Sequence, residues 1–422
     1  MTREKTMRTK VLVVVMCLLA AAPGAAVVRR AFVTSVTGSG NISTWAGASG
    51  ATALDKADAV CRARAAAALP SPLPNAATYR AWISTSATDA YCHVQGLSGK
   101  KDTGCGGGAQ SGGGPWYLAN GVTPFAAKLE ELVDPPFAVY RPLLMDENGD
   151  EVVEGWLLTG TFFFGTAVPD RTCSDWASDS PGLQLSAGNS SASAYQWSGN
   201  ALIGCDQPLH LLCLEPGVGT GPSLAWIPGA IAFISSATGN GNFATWPEAD
   251  GLDGLAGGDR ICQNLAAAAH LPGPDSFLAW LSAPPVDAAD RILTNGPYRR
   301  LDSFPIAFSK PDLLDGIASN SLHVDENGTY LVEKGETWTG TDALGQAVAD
   351  NCIGWTSSAN GDVGREGLGD RARTGRWSDW ANSPCDYALH VYCFSNRVAL
   401  FWDGFDATAD LSRWSSAVGA VP

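Results

Sequence analysis

The chain has 422 residues, 45% of them hydrophobic and 16% charged, with 48 glycines and 25 prolines. That is enough apolar material for two cores, which excludes a disordered chain, and too many turn formers for a helical bundle. A net charge of −15 repels nucleic acid and anionic membrane surfaces and argues against both as partners.

Arg3 to Lys10 form a basic head, Val11 to Ala22 an apolar run, and Pro23-Gly24-Ala25-Ala26 the small residues a signal peptidase requires. Residues 1–26 are therefore expected to be a secretory signal, with a run too short to span a bilayer. No other apolar segment reaches membrane length. Cys17 lies within the signal, which leaves ten of the 11 cysteines. An even number in an exported chain favours disulfides. There is no C-x2-C pair and the five histidines are scattered, so no metal site is expected.

In chain order, Phe32–Val36 reads as an opening strand and Asp58–Ala68 as a helix stopped before Pro70. Trp82-Ile83 reads as a short buried strand. Glu130-Glu131 sits on an acidic, solvated, helix-like stretch, and Asn148-Gly149 is a hairpin turn, because Asn-Gly tolerates positive φ. A Gly- and Pro-rich linker starts at Glu215. Then the order repeats: a strand at Phe233–Ala237, a helix at Asp259–His270, a buried strand at Trp280-Leu281, a turn at Asn327-Gly328, and a closing strand at Leu389–Phe394.

The second series echoes the first residue by residue. Ala31–Asn41 matches Ala232–Asn242, and Trp45, Asp58 and Cys61 match Trp246, Asp259 and Cys262. Asp146-Glu147-Asn148-Gly149 matches Asp325-Glu326-Asn327-Gly328. Cys173, Trp176, Trp197, Cys205, His210 and Cys213 match Cys352, Trp355, Trp377, Cys385, His390 and Cys393. Shared order with drifting offsets indicates two homologous domains with different loops. The expected division is domain 1 at 27–214, linker at 215–226, domain 2 at 227–396 and a C-terminal tail at 397–422. The first copy carries an insert after Trp82 with Cys92, Cys105 and two Gly-Gly-Gly runs. These two cysteines lack counterparts in the second copy, so Cys92–Cys105 is the economical pairing.

The string Gly254-Leu255-Ala256-Gly257-Gly258-Asp259-Arg260-Ile261-Cys262, followed by Phe277–Ser282, Trp338-Thr339-Gly340-Thr341-Asp342 and Cys352-Ile353-Gly354-Trp355, resembles the endostatin-like branch of the C-type-lectin-like fold. The resemblance implies an α+β fold, two tandem domains, and a nested disulfide pattern. Carried over, that pattern pairs Cys262 with Cys393 and Cys352 with Cys385, and in the first copy Cys61 with Cys213 and Cys173 with Cys205. It further implies a binding protein outside the cell or at its surface, directed at carbohydrate or an extracellular protein.

The calcium–sugar motif of sugar-binding C-type lectins does not carry over. Its Trp-Asn-Asp position reads Trp380-Ala381-Asn382, losing one oxygen ligand. Asp146–Asp150 resembles part of an EF-hand, but Glu151 and Leu157 stand where Gly and Glu are needed. No cofactor is expected, with a weak calcium site there the one alternative left open. No nucleophile elbow, phosphate loop or free cysteine appears, so the expectation is a non-enzymatic protein, with a surface-layer component or an atypical hydrolase as alternatives. Trp380, unmatched in the first copy, together with Asp379, Asn382 and Asp342, makes up the candidate ligand-binding set. Tryptophans matched between copies are expected in the core, and Asp342 is expected to cap its own loop.

Overall fold

The computed structural model describes residues 28–110, 112–152, 155–219 and 228–399. The expected signal, the expected linker from residue 220 to 226 and the tail from residue 400 lie outside them. The fold is α+β, with several sheets and five disulfides.

In the N-terminal half, β1 (Arg29–Val33) lies inside a five-stranded sheet with β2 (Arg80–Ala81), β3 (Trp116–Leu118), β4 (Pro124–Ala126) and β8 (Leu212–Leu214), in the order β2-β8-β1-β3-β4. β5 (Trp156–Leu158), β6 (Gln184–Asn189) and β7 (Ala201–Gly204) form a three-stranded sheet. A parallel bridge from Leu157 to His210 links the two. The C-terminal half repeats the plan in one larger sheet. β9 (Gly229–Ile234) pairs antiparallel with β16 (His390–Ala399), which also pairs with β10 (Phe277–Ala279) and runs parallel to β13 (Glu336–Trp338). Beyond β13 lie β14 (Val363–Leu368) and β15 (Ala381–Pro384). Beyond β9 lie β11 (Tyr298–Arg299) and β12 (Pro305–Ala307).

Both helices begin about a turn earlier than the periodicity predicts, at Ala53–Ala67 and Gly254–Ala268. In the first, Thr52 and Asp55 form a capping box that periodicity does not register. Asp58 and Asp259, the apparent starts, are side-chain anchors instead: they accept the backbone N–H of Ala81 at 2.9 Å and of Ala279 at 3.0 Å, tying each helix to its strand. The second helix is packed closely where Ala57 of the first is replaced by Gly258, since a Cβ there would stand 2.4 Å from the Leu281 side chain. The buried stripe Ile261, Cys262, Leu265 and Ala266 then packs into the core.

The opening strands also lie earlier than expected. Thr34 and Ser235 donate their hydroxyls to the carbonyls of Val36 and Ala237, at 2.8 and 2.7 Å, and end the extended runs. The strands at Trp82 and Trp280 stop one residue short of each tryptophan. At the other end β16 continues to Ala399, past the expected boundary at 396, pairing Val398 with Ala230 beyond a bulge. Gly149 and Gly328 take φ of +89° and +79° in turns flanked by the bridges Met145–Glu151 and Val324–Tyr330.

The bridges join Cys61 to Cys213, Cys92 to Cys105, Cys173 to Cys205, Cys262 to Cys393 and Cys352 to Cys385. Trp82, Trp176, Trp197, Trp280, Trp338, Trp355 and Trp377 are all fully buried. The halves meet through corresponding loops that follow β6 and β14. Ala192 bridges Arg371, Ser193 hydrogen-bonds Ser321 at 2.6 Å, and Arg371 donates to Gln196 at 2.7 Å. Arg300, fully buried, donates to the Tyr140 carbonyl at 2.7 Å, and Tyr140 stacks on Phe304.

Candidate functional site

Of the four residues proposed from sequence, three share one face. Asp379 pairs with Arg365 at 3.0 Å, Asn382 donates to Asp350 at 2.7 Å, and Trp380 is 42% exposed with the Arg376 guanidinium 4.6 Å from its ring centre. Register explains the grouping: Arg365 on β14 opposes Asn382 on β15. Asp342 stands apart in function, because its carboxylate accepts the backbone N–H groups of Leu344 and Gln346, both at 2.9 Å, within its own turn.

The larger concavity is in the N-terminal half, a cleft of about 690 Å³ between the insert and the segment Phe162–Asp175. Asp89 builds one wall. Buried, it accepts the N–H groups of Ala167 at 2.9 Å and Lys101 at 2.8 Å and the ammonium of Lys100 at 3.2 Å. Asp287 holds Ala347 in the same way at 2.7 Å, so this anchor belongs to the repeated plan, and the insert adds the lysines to it. Cys92–Cys105 staples the insert in place.

The floor is a turn in which Cys173, Ser174, Asp175 and Trp176 all have positive φ, between 50° and 65°. Four consecutive non-glycine residues there are strained, by roughly 1–2 kcal/mol each. The Thr172 hydroxyl caps the turn at Asp175, the disulfide holds Cys173, and Trp176 donates its indole N–H to the Ser84 carbonyl at 2.7 Å. The turn aims Asp175 at the segment leading into the insert, where it accepts the N–H of Ser86 at 2.7 Å and the Ser86 hydroxyl. Burial pushes the Asp175 carboxyl up, but the bonds from Ser86 and Thr172 and the charge of Lys100 outweigh it and hold it below the usual range.

Above this floor the cleft presents exposed Asp102, Asp170 and Gln184, with Phe162 at 43% and Leu183 at 39% exposure on its rim. Carboxylates and an amide accept hydroxyl protons, while the apolar rim covers C–H faces. That pairing suits a polyhydroxylated ligand. Sequence reasoning passed over the cleft; the one available signal was the extra loop facing the Phe162-Phe163-Phe164 run.

The matched histidines are structural. His210 and His390 set Nδ1 2.6 Å from the carbonyl oxygens of Thr34 and Ser235, tying closing strand to opening strand. Burial pulls the His390 imidazole down. His93 meets Asp58 at 2.8 Å in the core, where the second half uses Arg291 on Asp259 instead. In the EF-hand-like stretch the Asp146 carboxylate is taken up by the backbone N–H groups of Asn148 and Asp150, at 2.8 and 3.0 Å. Among the described residues, no three His, Cys, Asp or Glu side chains are grouped to hold a metal ion, and no helix is long and apolar enough to cross a membrane. Compared with known proteins, the chain matches no protein-family model and no curated protein.

Proposed function

We propose that the chain is a secreted or cell-surface binding protein. It comprises two tandem C-type-lectin-like modules of the endostatin-like branch, and it recognises carbohydrate through loop regions without the usual calcium–sugar motif. The observation that carries this reading is the cleft beside the insert, where the stapled loop sets Asp102 opposite Asp170, Gln184 and the exposed Phe162 of the repeated framework. Five disulfides support an oxidising compartment. The strained turn is a rigid floor that would lower the ordering cost of binding.

Glycan-array binding with and without chelator tests the reading. The expected result is chelator-insensitive binding that Phe162→Ala and Asp170→Asn each weaken by about tenfold, equivalent to ~1.4 kcal/mol. Both residues are exposed, so neither substitution threatens the fold. Binding by the two variants at wild-type strength, or no glycan binding at all, would overturn it.

A further inference from the structure

A second cavity, of about 350 Å³, lies between the halves. Leu118, Arg141, Leu144, Met145 and Glu151 come from the first half, and Phe308, Asp312, Ser319 and Arg373 from the second. Its two arginines and two carboxylates balance in number but are not evenly paired. Arg373 grips Glu151 with two guanidinium nitrogens, and the Asp312 carboxylate accepts the Phe308 N–H at 2.6 Å. The Arg141 guanidinium has neither ion pair nor hydrogen bond among the described residues, and its Nε is buried without a partner.

A half-buried, unpaired cation is costly unless something satisfies it. Burial and the neighbouring charge of Arg373 press Arg141 below its ordinary range, and only Glu151 acts in the other direction. The guanidinium is nonetheless the one side chain that stays charged under such pressure. Its planar fork matches a carboxylate, and Leu118, Leu144, Met145 and Phe308 offer apolar walls to the body that carries it. A dianion fits worse, because Glu151 and Asp312 repel a second negative charge and Arg373 is already committed.

We infer that this groove is a binding site for a singly charged carboxylate ligand with an apolar flank, held by Arg141 and contacted by both halves. It is independent of the carbohydrate cleft, since no residue lines both cavities. A ligand touching both halves stabilises their packing by mass action.

Calorimetric titration and thermal melts with benzoate, glucose and sulfate test this on the full chain. Benzoate should bind saturably and raise the melting temperature in a manner that depends on Arg141, with sulfate at least tenfold weaker and glucose without effect at this groove. Arg141→Gln should abolish the carboxylate effect while melting, without ligand, no lower than wild type, because it removes an unpaired charge. Asp312→Asn should tighten carboxylate binding several-fold. Equal carboxylate binding by Arg141→Gln, equal binding of sulfate, or no carboxylate binding at all would overturn the assignment. Glucose binding that survives Arg141→Gln and fails in Phe162→Ala would report on the cleft alone.

Discussion

Asp370 illustrates how burial sets the chemistry of one residue. It is fully buried at the contact between the halves, with Oδ2 2.5 Å from Arg371 and Oδ1 without a partner among the described residues. Burial pushes its carboxyl up to about 7, against the opposing charges of Arg371 and Lys334. Tyr195 and Tyr392 also face it, and both are themselves held up by burial. A folded value above the unfolded one means that the native state holds a proton the unfolded chain has lost. That stabilisation is full below about pH 4 and gone once the pH passes about 7. Asp259, Glu326 and Glu366, all raised by burial, act in the same direction. Unfolding free energy from chemical denaturation should fall between about pH 4 and 7, and Asp370→Asn should flatten the fall by a few kcal/mol. Identical slopes in the two proteins would sink this account. At this scale the sequence was informative where residues recur, as for the matched tryptophans in the core, and where a side chain caps its own turn, as for Asp342. It was silent on Asp370 and Arg141, whose environments come from the other half.

Among the elements, the left-handed turns stand out as the feature that local patterns could not announce. Nothing in Cys352-Ile353-Gly354-Trp355 advertises φ of 48°, 54°, 64° and 66°. Ile353 is β-branched, 67% exposed and left-handed, a conformation such residues avoid. It persists because the disulfide, the Asn351 cap and the buried Trp355 fix both ends. Ile353→Gly should raise stability by about 1 kcal/mol: relief of ~1–2 kcal/mol of backbone strain, less the entropy glycine adds to the unfolded chain. A thermal melt checks it, and an unchanged or lower midpoint would count against the strain. Helices and turns were legible because their signals are short-range. Their starts were misplaced because Asp58 and Asp259, taken as first residues, lie inside the helices and serve as anchors to strands about twenty residues away.

Across the whole molecule, the covalent frame and the contact between halves act together. Cys61–Cys213 and Cys262–Cys393 close loops of 152 and 131 residues, whereas Cys92–Cys105 closes 13. Loop-closure entropy assigns about 5 kcal/mol to each long bridge and ~3 kcal/mol to the short one, as upper values. Replacing Cys61 and Cys213 by serine should therefore cost more global stability than replacing Cys92 and Cys105. The short-bridge variant should instead show local loss: faster amide exchange through the insert, with the rest of the chain protected as before. Equal global destabilisation by the two pairs would argue that the insert is part of the core. The interface through Ser193, Ser321, Arg300 and Arg371 means that the two halves present their surfaces in a set relation, so the inter-half groove is a feature of the pair.

By itself the amino-acid sequence determined the repeat, the α+β element order, the burial of the matched tryptophans and which cysteines correspond, because these follow from local pattern and internal repetition. The tertiary structure decided the cleft, the inter-half groove at Arg141 and the seam at Asp370. Each joins residues tens to hundreds of positions apart, and only packing of the assembled layers brings such groups within a few ångströms and removes the water that would otherwise satisfy them.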